Sequence, residues 1–260
     1  MQFWLSEPAR LLVIITLCTF LWSLESVIPL YQYKSGRLRR ALPNLILTTI
    51  LFLMNLLLSF SLAYLTSFAV GNKIGLLFLL NIPAWLGMIL GVVALDLFTY
   101  WAHRLLHLFN FGWRFHRVHH SESTVNVTTA FRQHPGETIW RILWQAAAIL
   151  VFGIPLWVVV VYLSLSSINA LMEHANIKVN ENFDRLLRLL VVTPNMHKAH
   201  HSRQQKETDS NYSNIFSVWD RLFGSYTSEV DFHKLRYGLD GFDEKEKQTL
   251  LGLIKMPFTG

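Results

Sequence analysis

The chain has 260 residues, of which 52% are hydrophobic and only 15% charged, with a formal net charge of +6 and a mean hydropathy of +0.32. A soluble domain carries about 25% charged residues, so this composition excludes an ordinary soluble globule and points to a bilayer. The Lys and Arg residues cluster beside apolar runs, which favours anionic headgroups over nucleic acid, and the single cysteine, Cys18, lies inside an apolar run, which excludes a disulfide framework or a CxxC site.

The first apolar run, Ala9 to Leu30, lacks a small-x-small cleavage site and has only Arg10 as a basic flank. It reads as a retained span rather than a signal peptide. Lys34, Arg37, Arg39 and Arg40 follow, and by the positive-inside rule this loop is cytoplasmic. The second span runs from about Leu42 to Val70, Gly71 to Gly75 form a turn, and the third span runs from Leu76 to about Tyr100. The third contains Gly87-Met-Ile-Leu-Gly91, a small-residue face suited to close helix packing within the chain. Its one carboxylate is Asp96. On a continuing helix Asp96, Tyr100, His103 and His107 fall near one face, so Asp96 is expected to accept a hydrogen bond from a metal-bound imidazole.

Where this span reaches the cytoplasm, the stretch His103 to His120, HRLLHLFNFGWRFHRVHH, holds five of the eleven histidines in the chain. Arg104, Arg114, Arg117 and Arg132 accord with the same side. His103 and His107 are an i, i+4 pair; His116, His119 and His120 are an i, i+3, i+4 triple; and His197, His200 and His201 repeat that triple. If helical, each group aims its imidazoles in one direction. Neutral imidazole is the commonest nitrogen ligand for Zn, Fe, Cu and Ni. Eight such ligands exceed what one ion takes, so two ions sharing the set is the natural count.

Single histidines stand at His134, in Phe131-Arg-Gln-His134-Pro-Gly-Glu137, and at His174. Between them an apolar stretch, Thr138 to Met172, is broken at Gly153-Ile154-Pro155. If His174 and the last triple reach the same metals as the first clusters, the chain crosses the membrane an even number of times here. Two hinged helices of roughly 15 to 18 residues satisfy this at roughly 22 to 27 Å each. That is short for a hydrocarbon core of about 30 Å, so a shallow hairpin and a full double crossing both fit. Phe183 to Val192 reads as an amphipathic helix, Thr193-Pro194-Asn195 begins the helix of the last triple, and the polar remainder reads as a tail from about Glu229. The expected fold is therefore all-α and integral to the membrane: three long transmembrane helices plus a short helical hairpin, with a cytoplasmic helical cap carrying the histidines.

The motifs HRLLH, HRVHH and HKAHH resemble the three histidine boxes of the fatty acid hydroxylase/sterol desaturase superfamily. RQHPGE, EHANI, TPNMHKAHHS and NYSNIFSVWDRLFG are also similar to that family's surroundings, and the resemblance covers about Leu90 to Tyr226. With the spans and the polar tail read above, the chain divides into two spans and the start of a third over residues 1–89, a catalytic region over 90–226 that the resemblance marks, and a polar cytoplasmic tail over 227–260. The resemblance also implies an O2-dependent, di-iron lipid oxidoreductase that hydroxylates or desaturates an acyl or sterol-like substrate; a related member cleaves alkylglycerol ethers. Metal ligation is then implied for His103, His107, His116, His119, His120, His197, His200 and His201, with His174 as a ninth ligand and His134 as a ligand or a supporting group. Glu137 and Glu173 would orient ligand imidazoles. Imidazole sites accept several divalent ions, so zinc in a purified sample is compatible with native iron.

The sequence contains no GxGxxG, flavin site or CxxC cluster, so electrons would come from an external donor of ferredoxin or cytochrome b5 type docked on the basic cytoplasmic face. The membrane implied is a bacterial inner membrane or the endoplasmic reticulum. Two other classes compete. A membrane zinc hydrolase would also use imidazole ligands, but more often shows HExxH, which is lacking. A metal transporter would place its polar residues near mid-membrane, whereas these clusters flank the spans.

Overall fold

In a computed structural model, the described residues are 7–32, 36–227 and 235–259. Lys34 of the basic loop and Glu229 at the start of the tail lie outside them. Helix α1 spans Glu7–Val27, α2 Arg37–Gly71, α3 Ala84–Leu108, α4 Asn110–His120, α5 Pro135–Phe152 and α6 Leu156–His174. Shorter helices follow: α7 Glu181–Leu187, α8 Pro194–His200, α9 Gln205–Thr208, α10 Val218–Leu222 and α11 Leu250–Lys255. Among the described residues the only extended pairing is two isolated bridges, Pro29 with Ile177 and Val191 with Phe216. Four helices, α1, α2, α3 and α6, are long and apolar enough to cross a membrane. The protein is an all-α membrane protein.

At 35 residues, α2 is about 52 Å long, which exceeds the hydrocarbon core by several turns. Its first turns rise into the cap, where buried Asn44 donates to Thr128 Oγ1 at 3.1 Å and Glu122 Oε2 at 3.2 Å. The third span begins at Ala84, not Leu76. Leu76–Leu79 is a 3₁₀ turn, and Pro83 caps α3. A residue that precedes proline is pushed out of the α region, so no helix runs through Ile82.

Residues 135–174 fold as the expected hairpin, and its depth is now visible. The tip, Gly153 at φ 73°, lies against the α2–α3 turn, where Gly75 sits at φ 121°. A Cβ on Gly75 would fall 2.1 Å from the Gly153 nitrogen, so only glycine permits this approach. The hairpin thus reaches the far end of the bundle, although Glu137, Arg141 and Gln145 leave α5 too polar to rank with the four apolar helices. Of the small-residue face on α3, Gly91 makes the close contact: a Cβ there would meet Val158 of α6 at 2.9 Å. The core joins Leu62 and Ala69 of α2, Leu95 of α3, Ile149 of α5, and Val158 and Tyr162 of α6.

The opposite end of the bundle forms the cap. Arg117 and Arg132, taken from sequence as markers of the cytoplasmic side, are instead buried and structural. Arg132 donates to Val118 O at 2.8 Å, Asn44 Oδ1 at 3.0 Å, Ser121 Oγ at 2.8 Å and Gln248 Oε1 at 2.6 Å. Arg117 donates to the carbonyls of Met256 and Thr259. The tail is likewise part of the cap over its described residues: Leu253 and Met256 are buried in one cluster with Leu47 and Val118. Five consecutive charged residues at 243–247 gave it the look of a solvated tail and masked the apolar run that follows. Replacing Leu253 with Ala should therefore cost about 2–5 kcal/mol, seen as a lower thermal midpoint in detergent. An unchanged midpoint would mean that this segment does not pack against α2 and α4.

Candidate metal centre

Nine histidines converge at the cap end in two groups. One is His103 and His107 of α3, His116 and His120 of α4, and His200 of α8; the other is His119 of α4, His174 of α6, His197 of α8, and His201 at the C-cap of α8. Within each group the candidate ligand atoms all lie within 4.8 Å of one another. The local helices that carry them are set by ordinary signals. Thr193 caps α8 by accepting from the Met196 amide, and Pro194 occupies its first turn.

The triples do not each aim in one direction, as expected from spacing; they divide. The i and i+4 members stay together, His116 with His120 and His197 with His201, while the i+3 members, His119 and His200, cross to the other group. On a helix of 3.6 residues per turn, positions i and i+4 differ by about 40°, but i+3 and i+4 differ by about 100°. The fan is wide enough for adjacent imidazoles to serve separate ions.

Hydrogen bonds on the outer ring edges fix several tautomers. Nδ1 of His103 lies 2.8 Å from the Tyr212 carbonyl and Nδ1 of His200 lies 2.7 Å from the Ser210 carbonyl. Likewise, Nδ1 of His119 is 3.1 Å from Arg132 O, and Nδ1 of His174 is 2.7 Å from Ala170 O. A carbonyl can only accept, so each Nδ1 carries the proton and each neutral ring presents a bare Nε2 lone pair inward. Yet Nε2 of His103 and Nε2 of His200 are 3.0 Å apart, and those of His174 and His119 are 3.1 Å apart. Lone pairs facing each other at that distance repel, and a cation between them removes the conflict. The donor sets therefore fit metal ions in both groups. Burial depresses the imidazoles outside the spans, His119 to about 3 and His116, His120, His197, His200 and His201 well below the ordinary value. They are neutral, as a ligand must be.

The supporting residues differ in part from expectation. Glu137 lies beside a ring: its Oε2 is 3.0 Å from His116 Nδ1, without a hydrogen bond between them, while Oε1 accepts from Arg141 Nε at 2.8 Å. Glu173 is close but does not hold a ring. Its Oε1 is 3.8 Å from His174 Nδ1 and from His197 Nε2, and it is the Ala170 carbonyl that orients His174. Asp96 contacts no imidazole. It accepts from Trp219 Nε1 at 2.9 Å, the Phe216 amide at 3.0 Å and the Ile215 amide at 3.1 Å. Its place on the histidine face of α3 was read correctly, but NYSNIFSVWDRLFG folds over it first. His134 belongs to neither group. Its Nδ1 caps α5 by accepting from the Gly136 amide, and its Nε2 lies 3.1 Å from Ile254 O.

Sequence reasoning missed Asp209, whose Oδ1 lies 3.3 Å from His107 Nδ1, and Asp220. Asp220 accepts from the Tyr212 and Ser213 amides at 2.7 and 2.9 Å, holding the loop whose Tyr212 carbonyl orients His103. The carbonyl partners leave no trace in residue identity, whereas Asp209 lies only eight residues past His201 and could have been weighed. Trp113 packs its ring against His107 and His120 at centroid distances of 5.0 and 5.3 Å.

A model of the fatty acid hydroxylase family matches residues 88–225, a range that contains every one of these histidines. The chain belongs to the fatty acid hydroxylase family. It is 32% identical to human alkylglycerol monooxygenase over 166 residues, 62% of this chain and 35% of that protein. It is 28% identical to an ornithine lipid hydroxylase of Rhizobium tropici over 177 residues, 68% of this chain and 52% of that protein. It is 33% identical to human lathosterol oxidase over 138 residues, 53% of this chain and 44% of that protein. The chain thus spans between a third and about half of the length of these relatives. No solved structure matches it.

Two outcomes follow from the geometry. Replacing Asp209 with Asn should weaken metal retention about 10- to 100-fold, whereas His134→Ala should leave metal content unchanged and lose only a helix cap, about 1 kcal/mol; equal retention in both variants would contradict the assignment of Asp209. For chelator-treated protein, an unfolded imidazole takes up its proton near 6.5 but His119 only at about 3. The unfolded state therefore binds more protons in that window, and stability should fall as pH drops from about 6.5 towards about 3. A thermal midpoint that stays flat over this range would contradict neutral, buried imidazoles.

Proposed function

We propose that the protein is a membrane-bound, di-iron, O2-dependent lipid oxidoreductase that hydroxylates or desaturates an acyl or sterol-like chain drawn from the bilayer. The observation that carries this reading is the pair of all-imidazole groups, with bare lone pairs turned towards each other at the end of apolar helices. The relatives named above, an alkylglycerol monooxygenase, an ornithine lipid hydroxylase and a lathosterol oxidase, support the substrate class.

His103, His107, His116, His120 and His200 would hold one iron; His119, His174, His197 and His201 would hold the other. When bound, the iron pair supplies the O2 activation that attack on an unreactive C–H bond demands and that no side chain can provide. The protein's own part is positioning. The Tyr212, Ser210, Arg132 and Ala170 carbonyls hold four rings in the Nδ1–H tautomer, Glu137 lies at ion-pair distance from His116, and burial keeps the imidazoles neutral. Glu173, buried at the edge of the second group, is held there by Asn169, whose Nδ2 donates to Oε2 at 2.9 Å.

Hydroxylation of a C–H bond consumes one O2, two external electrons and two protons, places one oxygen atom in the product and releases the other as water. An external reductant of ferredoxin or cytochrome b5 type is part of the proposal, as is placement of the cap on the cytoplasmic side of a bacterial inner membrane or the endoplasmic reticulum. The basic residues Arg37, Arg39 and Arg40 at the cap end of α2 support that side.

The test is turnover of membrane lipids by iron-loaded protein in vesicles, supplied with a reducing system and air. The expected result is oxygen incorporation into, or a new double bond in, a lipid. It should be lost under argon, without reductant, and in a His197→Ala variant, with activity down at least 100-fold as expected for loss of a metal ligand. Lipid cleavage that continues under argon would instead establish metal-assisted hydrolysis.

A further inference from the structure

The segment after α6 is built inside out. A helix on the surface of a soluble domain turns its apolar stripe inward and its charges to water. Along residues 183–190 the reverse holds. Asp184 and Arg188 face inward, at 0% and 2% exposure, and form an ion pair of 2.5 Å. Phe183, Leu186, Leu189 and Leu190 face outward, at 57%, 65%, 56% and 74% exposure.

Helix α10 extends the same surface. The Ser217 amide donates to Leu190 O at 3.2 Å and Arg221 Nη2 to Arg188 O at 2.7 Å, which sets the exposed Val218 and Leu222 beside the outward leucines. A continuous apolar face of this size outside the spans marks a binding surface.

We propose that this face lies in the plane of the bilayer surface, as a foot that rests the cap on the lipid at the third histidine cluster. Three observations select lipid rather than a protein partner. First, α6, a membrane-crossing helix, ends at His174, six residues before the Asn180 cap of α7. Second, residues 176–178 bond back to the chain just beyond α1: Leu30 N to Asn176 O at 3.2 Å and Lys178 N to Ile28 O at 2.9 Å. The foot thus starts where two spans reach the membrane surface, and the exposed Val27 and Ile28 at the end of α1 face outward at that level. Third, exposed Arg185 and Lys178 accompany the apolar face, while the nearby carboxylate Glu181 is bridged by Arg188 at 2.8 Å. Basic residues beside an outward apolar face are the pattern of an interfacial helix on anionic headgroups.

The foot is fastened to the metal centre. Asp184 accepts from Thr193 Oγ1 at 2.9 Å and from the Asn195 amide at 3.3 Å, the first residues of the helix that carries His197 and His200. Lipid contact on one side of Asp184 thereby fixes the height of the third cluster above the acyl chains on the other. The proposal requires membrane residence only and stands apart from the assignment of lipid oxidation.

The test is site-directed spin labelling of the full chain in vesicles of phosphatidylcholine and phosphatidylglycerol. In a Cys18→Ser background, single labels are placed by Leu186→Cys and Leu190→Cys. Leu57→Cys on the outward face of α2 serves as the lipid reference and Asp240→Cys in the cap as the water reference; retained metal content shows that each variant is folded. At positions 186 and 190, collisions with dissolved oxygen should exceed those with a water-soluble nickel chelate, as at position 57, and the ratio should reverse at position 240. Nickel access at 186 and 190 equal to that at 240 would overturn the proposal. Protection from both reagents would overturn it too, since that result means a protein surface covers the face. If position 57 itself reads as water-exposed, the fault lies in reconstitution of the bundle, and the experiment separates this from failure of the foot.

Discussion

The structure depends on backbone carbonyls that fix imidazole rings. Four of them, from Tyr212, Ser210, Arg132 and Ala170, each take the outer proton of a histidine and so turn a bare nitrogen inward. Those nitrogens then stand about 3 Å apart with nothing to share. Without a cation the arrangement is repulsive, and with one it is a ligand set. The metal centre is therefore specified as much by the path of the backbone as by the histidines.

The rest of the fold serves to hold that backbone path. The loop 210–216 supplies two of the four carbonyl groups through its neighbours at Ser210 and Tyr212, and it is fixed from below by Asp96 and from within by Asp220. Arg132, wholly buried, ties α2, α4 and the C-terminal segment to the peptide unit whose carbonyl orients His119. Buried charges of this kind are stable only when every donor and acceptor is matched, which is the case for Asp96 and close to it for Arg132. They lie at the junction of bundle and cap, beside the contacts that Asn44 and Leu47 of α2 make with the cap.

Much of this was legible in the sequence. Apolar runs gave the helices long enough to cross the membrane, Gly153-Ile154-Pro155 gave the hairpin, and the histidine spacing gave imidazoles that converge in numbers sufficient for two ions. What could not be read is instructive. Spacing at i, i+3 and i+4 shows that side chains share a broad face, but not that a fan of about 100° divides between two ions. Carbonyl partners carry no signature, since every residue has one. Asp96 was placed on the right face of α3 but assigned the wrong partner, because its partners come from a loop more than a hundred residues away. The tail looked solvated because its charges precede its apolar anchor, Leu253. The segment Phe183 to Val192 was read as an amphipathic helix, but the helix ends at Leu187, and periodicity alone does not tell which face turns inward.

The central claim is that two separate imidazole groups each hold one ion, and metal stoichiometry tests it most directly. Protein produced with iron supplementation should carry two metal ions per chain. His120→Ala, in the first group, and His201→Ala, in the second, should each lower the content to one, and the double variant should carry none. One ion in the native protein that either substitution abolishes would contradict two sites and leave a single shared centre; no ion in the folded native protein would contradict metal binding altogether.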